Sequence, residues 1–233
     1  MDFNPVDGVL WYGAFVLSTT CHEAAHAWTA LKLGDDTASR GGQVSLNPLP
    51  HIRREPLGMV LMPILTWISG GWIMGWASAP FNAEWARNAP RRAAIMALAG
   101  PGANLALAII AGLLIRIGVE WNVFVAPTSL GMARLVEAVD AGGWDFVAQS
   151  LSIFVSLNLL LCAFNLLPVP PLDGSSLPML VLPQSLGQRY FDVLRSPILR
   201  IAGIVLITRG VGPILPPLLR AAATIIHPGV VYR

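Results

Sequence analysis

Four stretches of this chain approach the length and apolarity of a membrane-spanning helix: 9–33, 57–79, 93–119 and 146–167. A spanning helix needs about 20 mostly apolar residues, and so many such runs leave little room for a water-soluble fold. Composition agrees. Of the 233 residues, 55% are hydrophobic and 12% charged, against about 25% charged in a typical soluble domain. The net charge of +2 and the lack of a Lys/Arg-rich run argue against a nucleic-acid partner. Cys21 and Cys162 both lie in apolar stretches and read as packing residues, not as a disulfide framework. The first ten residues carry Asp2 and Asp7 and no basic residue, so no signal peptide is expected.

Charge placement gives an orientation. Lys32, Arg40, Arg53, Arg54, Arg87, Arg91 and Arg92 crowd into 32–92, whereas 119–146 carries Glu120, Arg134, Glu137, Asp140 and Asp145. Basic loops stay cytoplasmic. The 32–92 region is therefore expected inside, and both the N-terminus and the 119–146 loop outside. A single crossing by 57–79 would put Arg53/Arg54 and Arg87/Arg91/Arg92 on opposite sides. Pro56, Gly58, Pro63, Gly70, Gly71 and Gly75 suit a broken path, so the segment is expected to dip in and return or to lie along the interface. A true fourth crossing is the alternative. The 41–46 stretch, G-G-Q-V-S-L, alternates and reads as a short strand or half of a hairpin. Prolines, glycines and arginines interrupt 197–226, which suggests one or two short helices. The expectation is an all-α, multi-pass membrane protein and one domain over 1–233. Its three-helix catalytic core covers about 9–175, with a C-terminal helical extension over about 184–233.

Within the first apolar stretch stands C-H-E-A-A-H, with His22, Glu23 and His26. A four-residue spacing sets both imidazoles on one helical face, where they can share a zinc ion. The carboxylate of Glu23 can then accept a proton from metal-bound water. His22 lies about nine residues, or roughly 14 Å, from the polar helix end, and ionisable groups at such depth are functional candidates. Two core histidines hydrogen-bonded across helices are the plainer reading. A third ligand must come from Asp35, Asp36, His51, Glu55 or Asp173. Asp35 and Asp36 look solvated, and Glu55 is flanked by arginine and proline. Asp173, in N-L-L-P-V-P-P-L-D-G, follows a spanning stretch at the same face. Prolines stiffen its path and Gly174 permits a tight turn. An ordinary Asp-Gly turn is the competing reading of that position.

These motifs, with L-A-G-P-G-A-N at Leu98–Asn104, S-L-N-P-L-P-H at Ser45–His51 and G-W-A at Gly75–Ala77, resemble the site-2 protease family of intramembrane metalloproteases, in a compact prokaryotic branch. The resemblance implies one zinc ion bound by His22, His26 and Asp173, with Glu23 as the base. It suggests that Asn104 and Asn165 face the active site as substrate or oxyanion contacts, against the alternative of helix–helix hydrogen bonds; for Asn158 the hydrogen-bond reading is preferred. His51 either lines the site or holds the 41–51 segment. Val44, Ser45 and Leu46 are candidates to hold an unwound substrate by β-augmentation. Ser78-Ala79-Pro80 departs from the lysine–proline that follows G-W-A in that branch, and His227 reads as peripheral. The function implied is hydrolysis of transmembrane or membrane-tethered proteins near the cytoplasmic face of a prokaryotic cell membrane. A metal transporter, or a non-proteolytic metal-binding membrane protein, is the rival class.

Overall fold

The structure is a computed structural model that describes residues 5–140 and 142–232, without the side chains of residue 5 and of 207–211. Asp2 of the N-terminal reading lies outside the described residues, as does the side chain of Arg209, one of the arginines of 197–226.

Three long helices organise the chain: α1 (Pro5–Leu33), α6 (Pro90–Glu120) and α7 (Gly143–Asn165). They pack against one another, with α6 making the broadest contacts to both partners. Both helices bury alanines: Ala27 and Ala30 on α1 and Ala93, Ala94 and Ala97 on α6 are at most 4% exposed, with Ala93 and Ala94 packed against Ala86, Met179 and Phe191. Small side chains let two helix backbones approach closely. At the far end Gly118 makes room for the Phe124 ring. Ala111, Ile115, Leu135, Val155 and Ala223 close a second apolar core there.

Between α1 and α6 lie α2 (Thr37–Arg40), α3 (Pro48–Arg54), a wide helical turn (Leu57–Leu61) running into α4 (Met62–Gly70), and α5 (Ala83–Asn88). The helix through α4 stops at Gly71, which takes a left-handed conformation (φ 67°), and the chain turns back. Thr66 Oγ1 accepts the Met74 amide at 2.9 Å, and Gly58 O accepts the Trp76 amide at 3.1 Å. Residues 57–79 therefore return alongside themselves, and the helical part is too short to cross a bilayer.

Among the described residues, two helices are long and apolar enough to cross a membrane, α6 and α7. The stretch expected as the first crossing forms α1, which has the length but carries Ser18, Thr19, Thr20, His22, Glu23 and His26 in its middle; it is not one of the two. The expected strand at 41–46 does not form. Gly42 is left-handed (φ 75°) and the Gln43 amide donates to Ala38 O at 3.0 Å, so local turns bind the backbone groups that a strand would share. The small sheet lies elsewhere, where β1 (Phe124–Val125) pairs antiparallel with β2 (Glu137–Ala138). After α7 come a 3₁₀ segment (Asp173–Leu180), α8 (Gln184–Leu194) and α9 (Pro197–Ile226). α9 is one helical path where shorter pieces were expected; Leu219, Ala222, Ala223 and Ile226 bury one face of its second half. His227, expected at the periphery, is 3% exposed and bonded through Nε2 to Leu135 O.

Candidate metal centre

The first part of the site is local. Helical periodicity puts His22 and His26 one turn apart on α1, and their Nε2 atoms lie 2.9 Å from each other. Both rings are buried.

The second part is brought by the chain after α7. Val169 N bonds to Leu167 O and Leu172 N to Val169 O, so the proline-rich segment folds back on itself. Gly174 then lies against the Leu166 carbonyl, with no space for a side chain. This contact, more than any unusual φ, explains the glycine. It delivers Asp173 Oδ2 to 3.1 Å from His22 Nε2 and 3.3 Å from His26 Nε2.

The ring orientations are set from behind. His26 Nδ1 donates to the Met96 carbonyl at 2.8 Å, a partner that can only accept. His22 Nδ1 donates to Asn104 Oδ1 at 2.6 Å. Each imidazole therefore presents an Nε2 lone pair. Two lone pairs and a carboxylate oxygen face one another, and Asp173 Oδ2 is buried without a hydrogen-bond partner. Three acceptors so placed repel unless a cation lies among them. Their separations are close to the roughly 3.3 Å between ligand atoms that tetrahedral zinc with bonds of about 2.05 Å requires. The residues fit a divalent metal ion, and theirs is the one such cluster among the described residues.

Glu23 is buried (6% exposed) on the same turn of α1. Asn104 is fully buried, with its oxygen on His22 and its nitrogen on Asn158 and Ser18. Of the two readings open for it, the helix–helix hydrogen bond is the one seen. Asn165 ends α7, half-buried. The other acidic candidates have different partners. Asp35, expected in solvent, is 4% exposed and accepts from the Thr37 hydroxyl and amide and from the Asn82 amide. Asp36 pairs with Arg40, and Glu55 accepts from the Ser78 hydroxyl. His51 is 1% exposed, with Nε2 donating to Ser45 O at 3.0 Å; it holds the 41–51 segment in its turn. Val44, Ser45 and Leu46 sit in that turn, with Leu46 exposed.

Sequence reasoning passed over Gly100. A β-carbon there would lie 2.5 Å from His22 Nε2 and closer still to His26 Nε2. The bare backbone of α6 thus leaves free the space in front of the two nitrogens. A glycine and a proline adjacent in the middle of an apolar helix, Gly100-Pro101, were the available signal.

The profile of peptidase family M50 matches residues 11–208. YwhC of Bacillus subtilis, a zinc metalloprotease by name, is 38% identical over 68% of this chain and 63% of its own length. Rip2 of Mycolicibacterium smegmatis and Rip2 of Mycobacterium tuberculosis, also zinc metalloproteases by name, are 28% and 30% identical over 71% of the chain and 54% of their own lengths. The chain thus spans a little over half to under two thirds of these relatives. No solved structure matches it. On the matched profile, and on the motifs that resemble the site-2 proteases, the chain belongs to peptidase family M50.

Proposed function

We propose that this protein is an intramembrane zinc endopeptidase in which His22, His26 and Asp173 hold one zinc ion and Glu23 is the general base. The observation that carries the reading is the convergence of two Nε2 lone pairs and an unpartnered carboxylate oxygen within 3.3 Å. Zinc bound there supplies a polarised carbonyl and water acidified toward a pKa of about 7. Glu23, buried on the same turn of α1, would serve as the base that accepts a proton from the attacking water and passes it to the departing amine. Asn104 and Met96 hold the imidazoles in the tautomer that binds. Gly100 keeps the adjoining space clear for substrate and water.

A lipid setting is supported by what α6 leaves uncovered. Leu105, Ile109, Ile110, Leu113, Leu114 and Ile117 are 43–58% exposed, and 28% of its most apolar window is buried. The core helix of a soluble protein hides most of such a surface. In this reading α1, α6 and α7 cross the bilayer, 57–79 re-enters from the cytoplasmic side, and the N-terminus lies outside. The metal site then faces the cytoplasm of a prokaryotic cell. The substrates are transmembrane or membrane-tethered proteins, whose helices unwind locally to expose a peptide bond. Val44, Ser45 and Leu46, which lie in a turn held by His51 and not in a strand, are kept as candidates to contact the unwound segment.

The test is zinc analysis together with cleavage of a panel of tethered membrane peptides. Wild type should hold one zinc and cut; Asp173→Ala should lose both properties. Stoichiometric zinc with no cleavage of any peptide, or transport of zinc into vesicles, would move the chain into the rival class.

A further inference from the structure

Resting on the zinc reading above, we infer that Asn158, on a helix that supplies no metal ligand, is a positioning residue that fixes which nitrogen of His22 is offered to the metal. The route is a polar chain through the buried centre of the three helices. Ser18, Asn104 and Asn158 are each 0% exposed. Asn158 Nδ2 donates to Phe154 O at 2.8 Å and to Ser18 Oγ at 2.8 Å. Asn158 Oδ1 accepts from Asn104 Nδ2 at 2.8 Å, and Asn104 Nδ2 also faces Ser18 O at 3.4 Å. Asn104 Oδ1 accepts from His22 Nδ1.

An amide side chain has a donor end and an acceptor end, and nothing in its shape decides which way it points. Here two backbone carbonyls decide. Phe154 O can only accept, so the nitrogen of Asn158 must face it and the oxygen must face Asn104. That oxygen and Ser18 O can only accept in turn, so Asn104 presents its nitrogen to them and its oxygen to His22. His22 must then carry its proton on Nδ1, leaving the Nε2 lone pair for the metal. A reversed amide at either position would set two acceptors together in a fully buried site, which is costly. His26 reaches the same tautomer in one step, through Met96 O. The metal geometry on α1 thereby depends on α7, the helix that leads into the Asp173 segment.

The experiment uses the full chain in detergent. Zinc affinity is measured by competition with a chromophoric chelator, and ligand geometry by the visible spectrum of the Co²⁺-substituted protein. Asn158→Leu should weaken zinc binding by about 10- to 100-fold, the usual range for groups that orient a metal-binding histidine, and should alter the cobalt spectrum. Ser156→Ala removes another buried polar group from the same helix, one without a partner, and should leave both readouts as in wild type. If Asn158→Leu does not fold, Ser18→Ala decides: it removes one of the two acceptors of Asn158 Nδ2 and should shift both readouts in the same direction by less. Wild-type zinc affinity in the folded Asn158 variant, or an equal loss in Ser156→Ala, overturns the inference and leaves the peptidase reading standing. Wild-type protein that binds no zinc removes that reading itself.

Discussion

Gly100 on α6 stands so close to His22 on α1 that a single methyl group on Gly100 would lie 2.5 Å from the His22 Nε2 atom. The absent side chain belongs to the site as much as the imidazole does. Gly100→Ala changes neither charge nor polarity, yet its methyl enters the space between the nitrogens. Zinc affinity should fall by more than about 100-fold, beyond the usual effect of an outer group, while the protein still elutes as a folded species. Chelator competition checks this, and wild-type affinity would mean that the helices part easily.

Glu23→Gln separates binding from chemistry. The amide retains the size of the side chain but cannot accept a proton. Zinc content should stay near wild type while cleavage drops by roughly 10²- to 10⁴-fold, the usual worth of a general base. A variant that still cuts at the wild-type rate removes Glu23 from the mechanism.

Chelation should be reversible and selective. Treatment with a strong chelator should abolish cleavage, and stoichiometric zinc should restore it in wild type. Asp173→Asn keeps one oxygen but loses the anion, so it should need markedly more zinc for the same recovery. Equal zinc requirements in the two proteins would argue that the carboxylate stands apart from the metal.

Asp35 gives a pH signature away from the metal. Burial pushes its carboxyl up, but hydrogen bonds from the Thr37 hydroxyl and from the Asn82 and Thr37 amides outweigh that and hold it below its ordinary value. A folded-state pKa below the unfolded value of about 3.9 means stability that is present above pH ~4 and lost as pH falls through the folded value. Asp35→Asn should therefore lower the thermal midpoint at pH 7 and converge on wild type as the pH falls through the lowered folded-state value. A midpoint difference that does not change with pH would point to packing instead.

The metal motif was legible because it is local. The four-residue interval between His22 and His26 and the place of Glu23 follow from helical geometry, and the turn-back of 57–79 follows from its glycines and prolines together with the arginines at both ends. The 41–46 segment was misread because alternation records side-chain pattern, whereas the backbone found partners nearer by, in Ala38 O and in the ring of His51. Asp35 was misjudged because its partner, the Asn82 amide, comes from a segment 47 residues away.

What the sequence by itself determined is a set of apolar helices and, on the first of them, two imidazoles and a carboxylate at fixed intervals, since covalent geometry and the helical repeat impose those distances on any such chain. Only the tertiary structure decided that Asp173 arrives at their nitrogens, that Gly100 leaves the gap and that Asn158 orients His22 through Asn104. These are contacts between segments far apart in the chain. Close packing of alanine-lined helices and the pairing of buried polar groups select them, and no local repeat encodes either.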